Sequence, residues 1–569
     1  MIKEQYKLWC EKATGDPDLV AELKEMSGND ELISDAFYQN LEFGTAGLRG
    51  VIGAGTNRMN IYTVGQASQG LAAYVNSVTP NGKIAIAYDS RIKSDVFARA
   101  AAAIFAANGI KVYIYKELMP TPMLSFAVRR LGCDAGVVVT ASHNPAKYNG
   151  YKAYGPDGSQ LGPEAANFVL SIMQSVDIFS GVKTTDYEKA VEEGLIEYIG
   201  EDIINEYLDN VEAQRVEPDA DLSDLRVVYT PLNGAGNKPV RAILKRLGIN
   251  NVAVVPEQEN PDGNFPTAPY PNPEIRQAFE CALKVAESYK PDILLATDPD
   301  SDRVGIAVNE KGEYKLFSGN DVGALLLNYI LERRTANGTL PKNPLAVKTI
   351  VSTELCQKIA DDYGCTLVNV LTGFKFIGEQ ITLLAEKNEQ DRYIFGFEES
   401  YGYLAGSYAR DKDAVVASML ICEMTAFYKM QGKTLCDVLD GIYEKYGYYY
   451  TQQKSFTCEG QSGMEKIKGI MTSLRENAPT EVDGSKVIKI NDYGESVSID
   501  AVSGEKTVLT LPKSNVLCYF LENGSSFIVR PSGTEPKIKI YICAVGSSAA
   551  DGEEKKQSLV EAGSKILGF

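Results

Sequence analysis

Two short stretches hold residue types that do chemistry only in company. The first is Thr140-Ala141-Ser142-His143-Asn144-Pro145, followed by Lys152. The apolar run Gly136-Val137-Val138-Val139 leads into it, so a buried strand ends in a polar loop. In open α/β sheets that end of a strand is where ligands are held. Ser142, beside the chain's only histidine, reads as a nucleophile that carries a phosphoryl group. A neutral hydroxyl attacks poorly unless a base or acid assists it. His143 and Lys152 are the candidates for proton transfer; Lys152 serves equally well as a counter-charge to phosphate. The second stretch is Asp298-Pro299-Asp300-Ser301-Asp302-Arg303, after the apolar strand Ile293-Leu294-Leu295-Ala296. Three carboxylates at alternate positions repel one another unless a cation sits among them. Oxygen ligands select a hard ion, Mg²⁺ first, and leave coordination positions open for a phosphate. Arg303 neutralises excess negative charge or touches the phosphoryl group. A metal on phosphoryl oxygens would also relieve the repulsion that a phosphate dianion offers to attack.

Three further loops are weaker taken singly. Gly396-Phe397-Glu398-Glu399-Ser400-Tyr401-Gly402 directs Glu398 and Ser400 to the same side when extended, suited to vicinal sugar hydroxyls. Arg410-Asp411-Lys412-Asp413 downstream adds charge. Arg530-Pro531-Ser532-Gly533-Thr534-Glu535-Pro536-Lys537 has the makings of a phosphate cradle, with successive N–H groups forming an anion nest. Phe43-Gly44-Thr45-Ala46-Gly47-Leu48-Arg49-Gly50 reads as a glycine-rich loop in which Arg49 either contacts an anion or is merely solvated.

These loops need a scaffold. Residues 1 to about 40 show helical spacing and form an N-terminal arm. Lys83–Tyr88, Lys111–Tyr115 and the strand feeding Ser142 alternate with helices, over 94–108 and from Pro120-Thr121-Pro122. Apolar strands alternating with helices imply sheets covered on both faces. The rhythm recurs from Leu225 and again after residue 315, where a strand ends at Thr372-Gly373-Phe374-Lys375 and another at Glu398. From about residue 446 short alternating segments replace it, with a terminal helix over about 553–567. The expected fold is three related α/β domains with mixed sheets, spanning 1–205, 206–316 and 317–445. A smaller α+β domain covers 446–569.

A chain of 569 residues is too long for one core. Its 44% hydrophobic and 23% charged residues are ordinary globular values. A formal net charge of −18 argues against nucleic acid as a partner, which needs a basic footprint. Ten cysteines without a CxxC pair read as reduced thiols of a cytoplasmic protein, and no apolar run approaches a membrane span.

The four loops at Thr140–Pro145, Asp298–Arg303, Gly396–Ser400 and Arg530–Pro536 resemble, in order and over nearly the whole chain, the signature loops of the α-D-phosphohexomutases. Phe43–Gly50 and Asn57-Arg58-Met59-Asn60 resemble the phosphoglucomutase branch that includes phosphopentomutase-like enzymes. The resemblance implies four domains around a central cleft and a resting phosphoserine at Ser142. It implies transfer to a hexose monophosphate through a hexose 1,6-bisphosphate, and one Mg²⁺ held by Asp298, Asp300, Asp302 and the Ser142 phosphate. Glu398 and Ser400 would read sugar hydroxyls, and Arg530, Ser532, Gly533, Thr534 and Lys537, with Arg49, would hold phosphate. By motif match Lys375 would also lie in the cleft. Some members carry a histidine shortly after the Glu-x-Ser loop. Here Tyr401-Gly402-Tyr403-Leu404 stands there, so acid/base work falls to His143, Lys152, Lys375 or an arginine.

The implied activity is interconversion of glucose 1- and 6-phosphates by a cytoplasmic monomer or dimer whose partners are small sugar phosphates. Phosphomannomutase and phosphopentomutase are the near alternatives. A more distant one is an aspartyl-phosphate phosphatase with Asp298 as nucleophile, and another is a sugar-phosphate sensor without catalysis.

Overall fold

The computed structural model describes residues 2–44, 47–458, 460–532 and 536–569. They group into two compact bodies. One comprises residues up to Gly319 together with Ile377–Thr434; the other comprises Asn320–Phe376 and Leu435–Phe569.

In the first body the N-terminal arm is helical, as expected: Ile2–Lys12, Pro17–Glu25 and Asp30–Phe37. Asp16 and Asn29 cap the second and third helices with side-chain oxygens on backbone N–H groups. The arm closes over Trp9, fully buried, whose ring meets Phe37, Tyr62 and Phe179 edge-on at 5.4–5.7 Å.

The first sheet has six strands in the order Leu48–Val51, Tyr148–Tyr154, Ala135–Val139, Lys83–Tyr88, Lys111–Tyr115, Ile196–Ile199. Its centre is parallel and buried, hence the unbroken apolar runs. Tyr148–Tyr154 turns back antiparallel to Ala135–Val139, setting Lys152 opposite Val138. The expectation of a loop throughout Phe43–Gly50 is corrected by this sheet. The second half of that stretch forms the edge strand Leu48–Val51, with Arg49 opposite Gly150. Gly47 opens that strand at φ +109, where a Cβ would collide with the Tyr151 carbonyl, so only glycine lets the chain enter.

The second sheet orders Glu313–Leu316, Val304–Glu310, Ile293–Thr297, Arg226–Thr230, Asn251–Val254. Ile293–Thr297 is parallel to Arg226–Thr230, and Val304–Glu310 returns antiparallel to it, with Thr297 opposite Val304. Further on, Tyr393–Glu398 turns back into Gly402–Leu404, with Glu398 opposite Gly402.

In the second body, Leu345–Thr349 and Thr366–Val370 pair in parallel. The C-terminal region forms an antiparallel sheet whose longest pair, at one edge, is Tyr448–Thr457 and Lys537–Gly546. The helices Gly460–Glu476 and Ala549–Ile566 bury Met471, Leu474, Leu559 and Val560 against it. Among the described residues no helix is long and apolar enough to cross a membrane, and all ten cysteines are free thiols.

Trp9 is the only tryptophan, so its emission reports the arm alone. The expected emission is blue-shifted and weakly quenched by acrylamide. Phe37→Ala, at a cost of about 3–5 kcal/mol to this cluster, should shift it red and open it to quencher; an exposed wild-type spectrum would contradict the packing.

Candidate active site

Ser142 sits at the end of the buried strand Ala135–Val139 with φ +52, a left-handed conformation uncommon for a residue with a Cβ. Its N–H donates to Thr140 Oγ1 at 2.8 Å. Its hydroxyl donates to Asp298 Oδ2 at 2.9 Å and lies 3.1 Å from His143 Nδ1. The two stretches singled out from sequence therefore meet at one oxygen. Burial, then the nearby Arg303 and Arg49 cations, push the His143 pKa well below its ordinary value, so the ring is neutral at pH 7. Arg49 reaches the same loop through Nη1, which donates to Asn144 Oδ1 at 3.2 Å.

Asp298, Asp300 and Asp302 are buried, and one carboxylate oxygen from each lies within 4.8 Å of the others. The hairpin that carries them is tied down by Asp298 Oδ1, which accepts the N–H groups of Asp302 at 3.1 Å and Arg303 at 3.0 Å. Lys152 Nζ lies 2.8 Å from Asp300 Oδ2 and 3.6 Å from Asp302 Oδ2. Lys412 Nζ lies 2.7 Å from the same Asp302 Oδ2. Burial and the like charges of Asp300 and Asp302 drive the Asp298 pKa well above the carboxylate range. Burial also pushes Asp300 upward, but the Lys152 and Lys412 ammonium groups outweigh it and hold that carboxyl below its ordinary range. Among the described residues, Asp300 Oδ1 and Asp302 Oδ1 are buried without a hydrogen-bond partner. Buried acceptors are seldom left so. Three carboxylates, two orphan oxygens and one carboxyl forced toward protonation together fit a divalent cation with oxygen preference.

Arg303 donates from Nη1 to Glu274 Oε1 at 2.6 Å. Burial would depress its pKa, but Glu274, Asp302, Asp298 and Glu398 hold it above the ordinary value. Glu398 is buried at the start of its tight turn, and Ser400 lies within that turn, half-exposed.

The structure adds two residues to this cluster. Lys412 comes from Arg410-Asp411-Lys412-Asp413, all four buried despite their charge. Burial of its ammonium is outweighed by Asp302, Asp411 and Glu398, which raise its pKa. Thr121, at the start of the helix Thr121–Arg130, clasps Asp300 twice: Oγ1 donates to Oδ2 at 2.9 Å and N–H to the backbone carbonyl at 2.9 Å. The available signals were four consecutive charges without an apolar spacer, and the Pro-Thr-Pro helix start.

Lys375, Arg530, Ser532 and Lys537 belong to the second body. Lys375 lies in the first turn of the helix Phe374–Glu386, a helix where a strand-end loop was expected, and its ammonium sits over Phe376 at 5.0 Å. Arg530 is the penultimate residue of the strand Ser526–Pro531, its Nη1 3.4 Å from the Tyr541 hydroxyl. Ser532 N–H donates to the Lys537 carbonyl at 2.8 Å. Gly533 and Thr534, expected in the same cradle, lie outside the described residues.

Four family models match successive parts of the chain: phosphoglucomutase/phosphomannomutase α/β/α domain I over 40–178, domain II over 205–312, domain III over 318–446 and the C-terminal domain over 483–558. A phosphoglucomutase of Staphylococcus aureus (strain bovine RF122) is 38% identical over 97% of this chain and 98% of its own length. One from Staphylococcus saprophyticus is 36% identical over 94% and 95%. Among solved structures, the open form of parafusin, a phosphoglucomutase from Paramecium, has a TM-score of 0.69 at 17% identity, covering 93% of this chain and 96% of its own. A phosphoglucomutase/phosphomannomutase family protein from Burkholderia thailandensis gives 0.64 at 17% identity over 91% and 96%. With all four domains matched in order and close relatives aligned nearly end to end, this chain belongs to the phosphoglucomutase/phosphomannomutase family of mutases.

Proposed function

We propose that the chain interconverts glucose 1-phosphate and glucose 6-phosphate, with Ser142 as phosphoryl carrier. The observation that carries this reading is the Ser142 hydroxyl 2.9 Å from Asp298, inside a ring of three buried carboxylates and two buried lysines. The phosphoglucomutase relatives at 36–38% identity support glucose over mannose or ribose.

In this reading phosphoserine 142 gives its phosphoryl group to the free hydroxyl of a bound hexose monophosphate. The serine Oγ–P bond breaks, a sugar O–P bond forms, and the hydroxyl proton passes to the serine oxygen. The product is a hexose 1,6-bisphosphate. It turns over and returns its other phosphoryl group to Ser142, so the enzyme ends as it began. His143 Nδ1, 3.1 Å from Oγ, is placed to hold the proton in transit. Lys152 and Lys412, tied to Asp300 and Asp302, act as counter-charges for the phosphoryl oxygens. Asp298, Asp300 and Asp302 would hold Mg²⁺ together with the Ser142 phosphate, and the ion would supply charge neutralisation at the phosphoryl group. Glu398 and Ser400 face the sugar; Arg49 and Arg303 add positive charge on the Ser142 side. Lys375 is a further candidate for acid/base work, and Arg530, Ser532, Gly533, Thr534 and Lys537 would bind the non-reacting phosphate. Domains over 1–205, 206–316, 317–445 and 446–569 are the working partition. A cytoplasmic location accords with ten unpaired thiols, and a monomer or dimer is the working assembly.

Three outcomes are expected. With hexose bisphosphate and Mg²⁺ present, kcat/KM for glucose 1-phosphate should exceed that for mannose 1-phosphate and ribose 1-phosphate by at least about tenfold, roughly 1.4 kcal/mol of discrimination; a ribose preference would sink the hexose assignment. Ser142→Ala should lose at least ~10⁴-fold of turnover while keeping its melting temperature, and peptide mapping of labelled wild type should place phosphate on Ser142. A label on Asp298 would instead establish the aspartyl-phosphate mechanism. Saturating Mg²⁺ should stabilise the folded wild type, by about 2.7 kcal/mol at a hundredfold excess over Kd. Asp300→Asn should abolish that gain, and an undiminished Mg²⁺ shift in the variant would contradict the metal assignment.

A further inference from the structure

The most heavily bonded side chain near Ser142 touches none of the reacting groups. Arg91 follows the strand Lys83–Tyr88 and is 2% exposed. Its Nη1 donates to the carbonyls of Pro145 and Tyr148, both at 3.0 Å. Its Nη2 donates to the carbonyls of Ser142 and Asn144. Four carbonyl oxygens of the serine loop thus point at one guanidinium. Without a cation these dipoles would repel one another, and the loop would splay. Asp89 holds the other edge: Oδ2 lies 3.4 Å from Arg91 Nε and accepts the Thr140 hydroxyl at 2.6 Å. Thr140 in turn accepts the Ser142 N–H. One ion pair therefore ties both ends of the loop, Thr140 and Tyr148, around a serine in a strained conformation.

The pair is braced from the second α/β domain. The Phe265 ring, fully buried, lies under the guanidinium at 5.1 Å. Two residues before it, Gly263 lies so near the backbone of Ser90, Arg91 and Ile92 that a Cβ there would collide with it. The loop carrying Phe265 and the loop carrying Asp298 belong to one domain, matched over 205–312. The same domain therefore supplies the carboxylate that meets Ser142 Oγ and the ring that supports Arg91.

We infer that Arg91, paired with Asp89 and stacked on Phe265, is a positioning residue that fixes the Ser142 oxygen on the Asp298 side of the loop. A planar guanidinium with five donors suits this task; an ammonium with three donors around one point cannot span four carbonyls. The inference rests on Ser142 being the phosphoryl carrier.

The test uses full-length, Mg²⁺-loaded protein and three substitutions: Arg91→Lys, Arg91→Ala and Phe265→Leu. Ratios to wild type are taken on whichever sugar phosphate the wild type turns over fastest, so the outcome is independent of which sugar the enzyme prefers. Arg91→Lys should lower kcat about 100-fold, the scale of an ångström-sized misplacement, with KM held within about threefold. The rate at which a labelled hexose bisphosphate phosphorylates Ser142 should fall in parallel. Guanidinium added to Arg91→Ala should restore turnover, and methylammonium should not. Phe265→Leu should lower kcat about 3- to 30-fold with the same signature. Wild-type kcat per folded molecule, or a change confined to KM or to melting temperature, would overturn the inference. Should the Arg91 variants fail to fold, Phe265→Leu decides alone, and an unchanged kcat there overturns it.

Discussion

Three carboxylates within 4.8 Å of one another cannot all stay ionised in a buried loop without positive charge beside them. Much of the site follows from that constraint. It explains why Lys152 and Lys412 are themselves buried: each would be costly alone, and each is tolerated because it faces an aspartate. It also explains why Asp298 is driven toward its protonated form while Asp300 is held ionised, since the two lysines face Asp300 and Asp302 but not Asp298. The Ser142 hydroxyl completes the ring at its least compensated member. A phosphoryl group there would bring more negative charge to the carboxylate with the least cationic support, which is where a divalent ion has most to offset.

The functional loops of the α/β domains share one device. A buried strand ends and the chain returns antiparallel beside it, within a few residues, carrying the polar groups in the turn. This holds for Ala135–Val139 with Tyr148–Tyr154, for Ile293–Thr297 with Val304–Glu310, and for Tyr393–Glu398 with Gly402–Leu404. Each turn includes one left-handed residue that is not glycine: Ser142 at φ +52, Ser301 at +50 and Tyr401 at +66. Such conformations persist only where the surroundings over-determine them. Around Ser142 those surroundings are the Asp89–Arg91 pair and the Thr140 hydroxyl.

The strands, the serine loop and the acidic loop were legible because their signals are local: apolar runs closed by polar residues, and aspartates at alternate positions. What escaped was set by contacts distant in sequence. Lys412 and Thr121 gain their meaning only through Asp302 and Asp300, and Arg91 only through carbonyls more than fifty positions away. The stretch around Arg49 looked like a loop because its glycines hide the fact that Leu48–Val51 completes a sheet edge. The stretch Thr372–Lys375 reads as a strand end, but the helical spacing that follows, Phe374 to Glu386, prevails locally. Arg410–Asp413 is buried against the usual preference of four consecutive charges for solvent, so its unbroken charge is a signal only once its partners are known.

Ser142 and Asp298 are 156 positions apart, and Lys152 and Asp300 are 148 apart. Lys412 arrives later still. During synthesis the first α/β domain can close its own core around Ala135–Val139, yet the serine then has neither its carboxylate partner nor a compensated acidic loop. Closing so long a segment of chain is slow, and it cannot begin until the second domain has formed. Ser142 is therefore made early and meets its carboxylate partner late. A chain interrupted before residue 412 would hold the serine loop beside an acidic hairpin missing one of its two lysines.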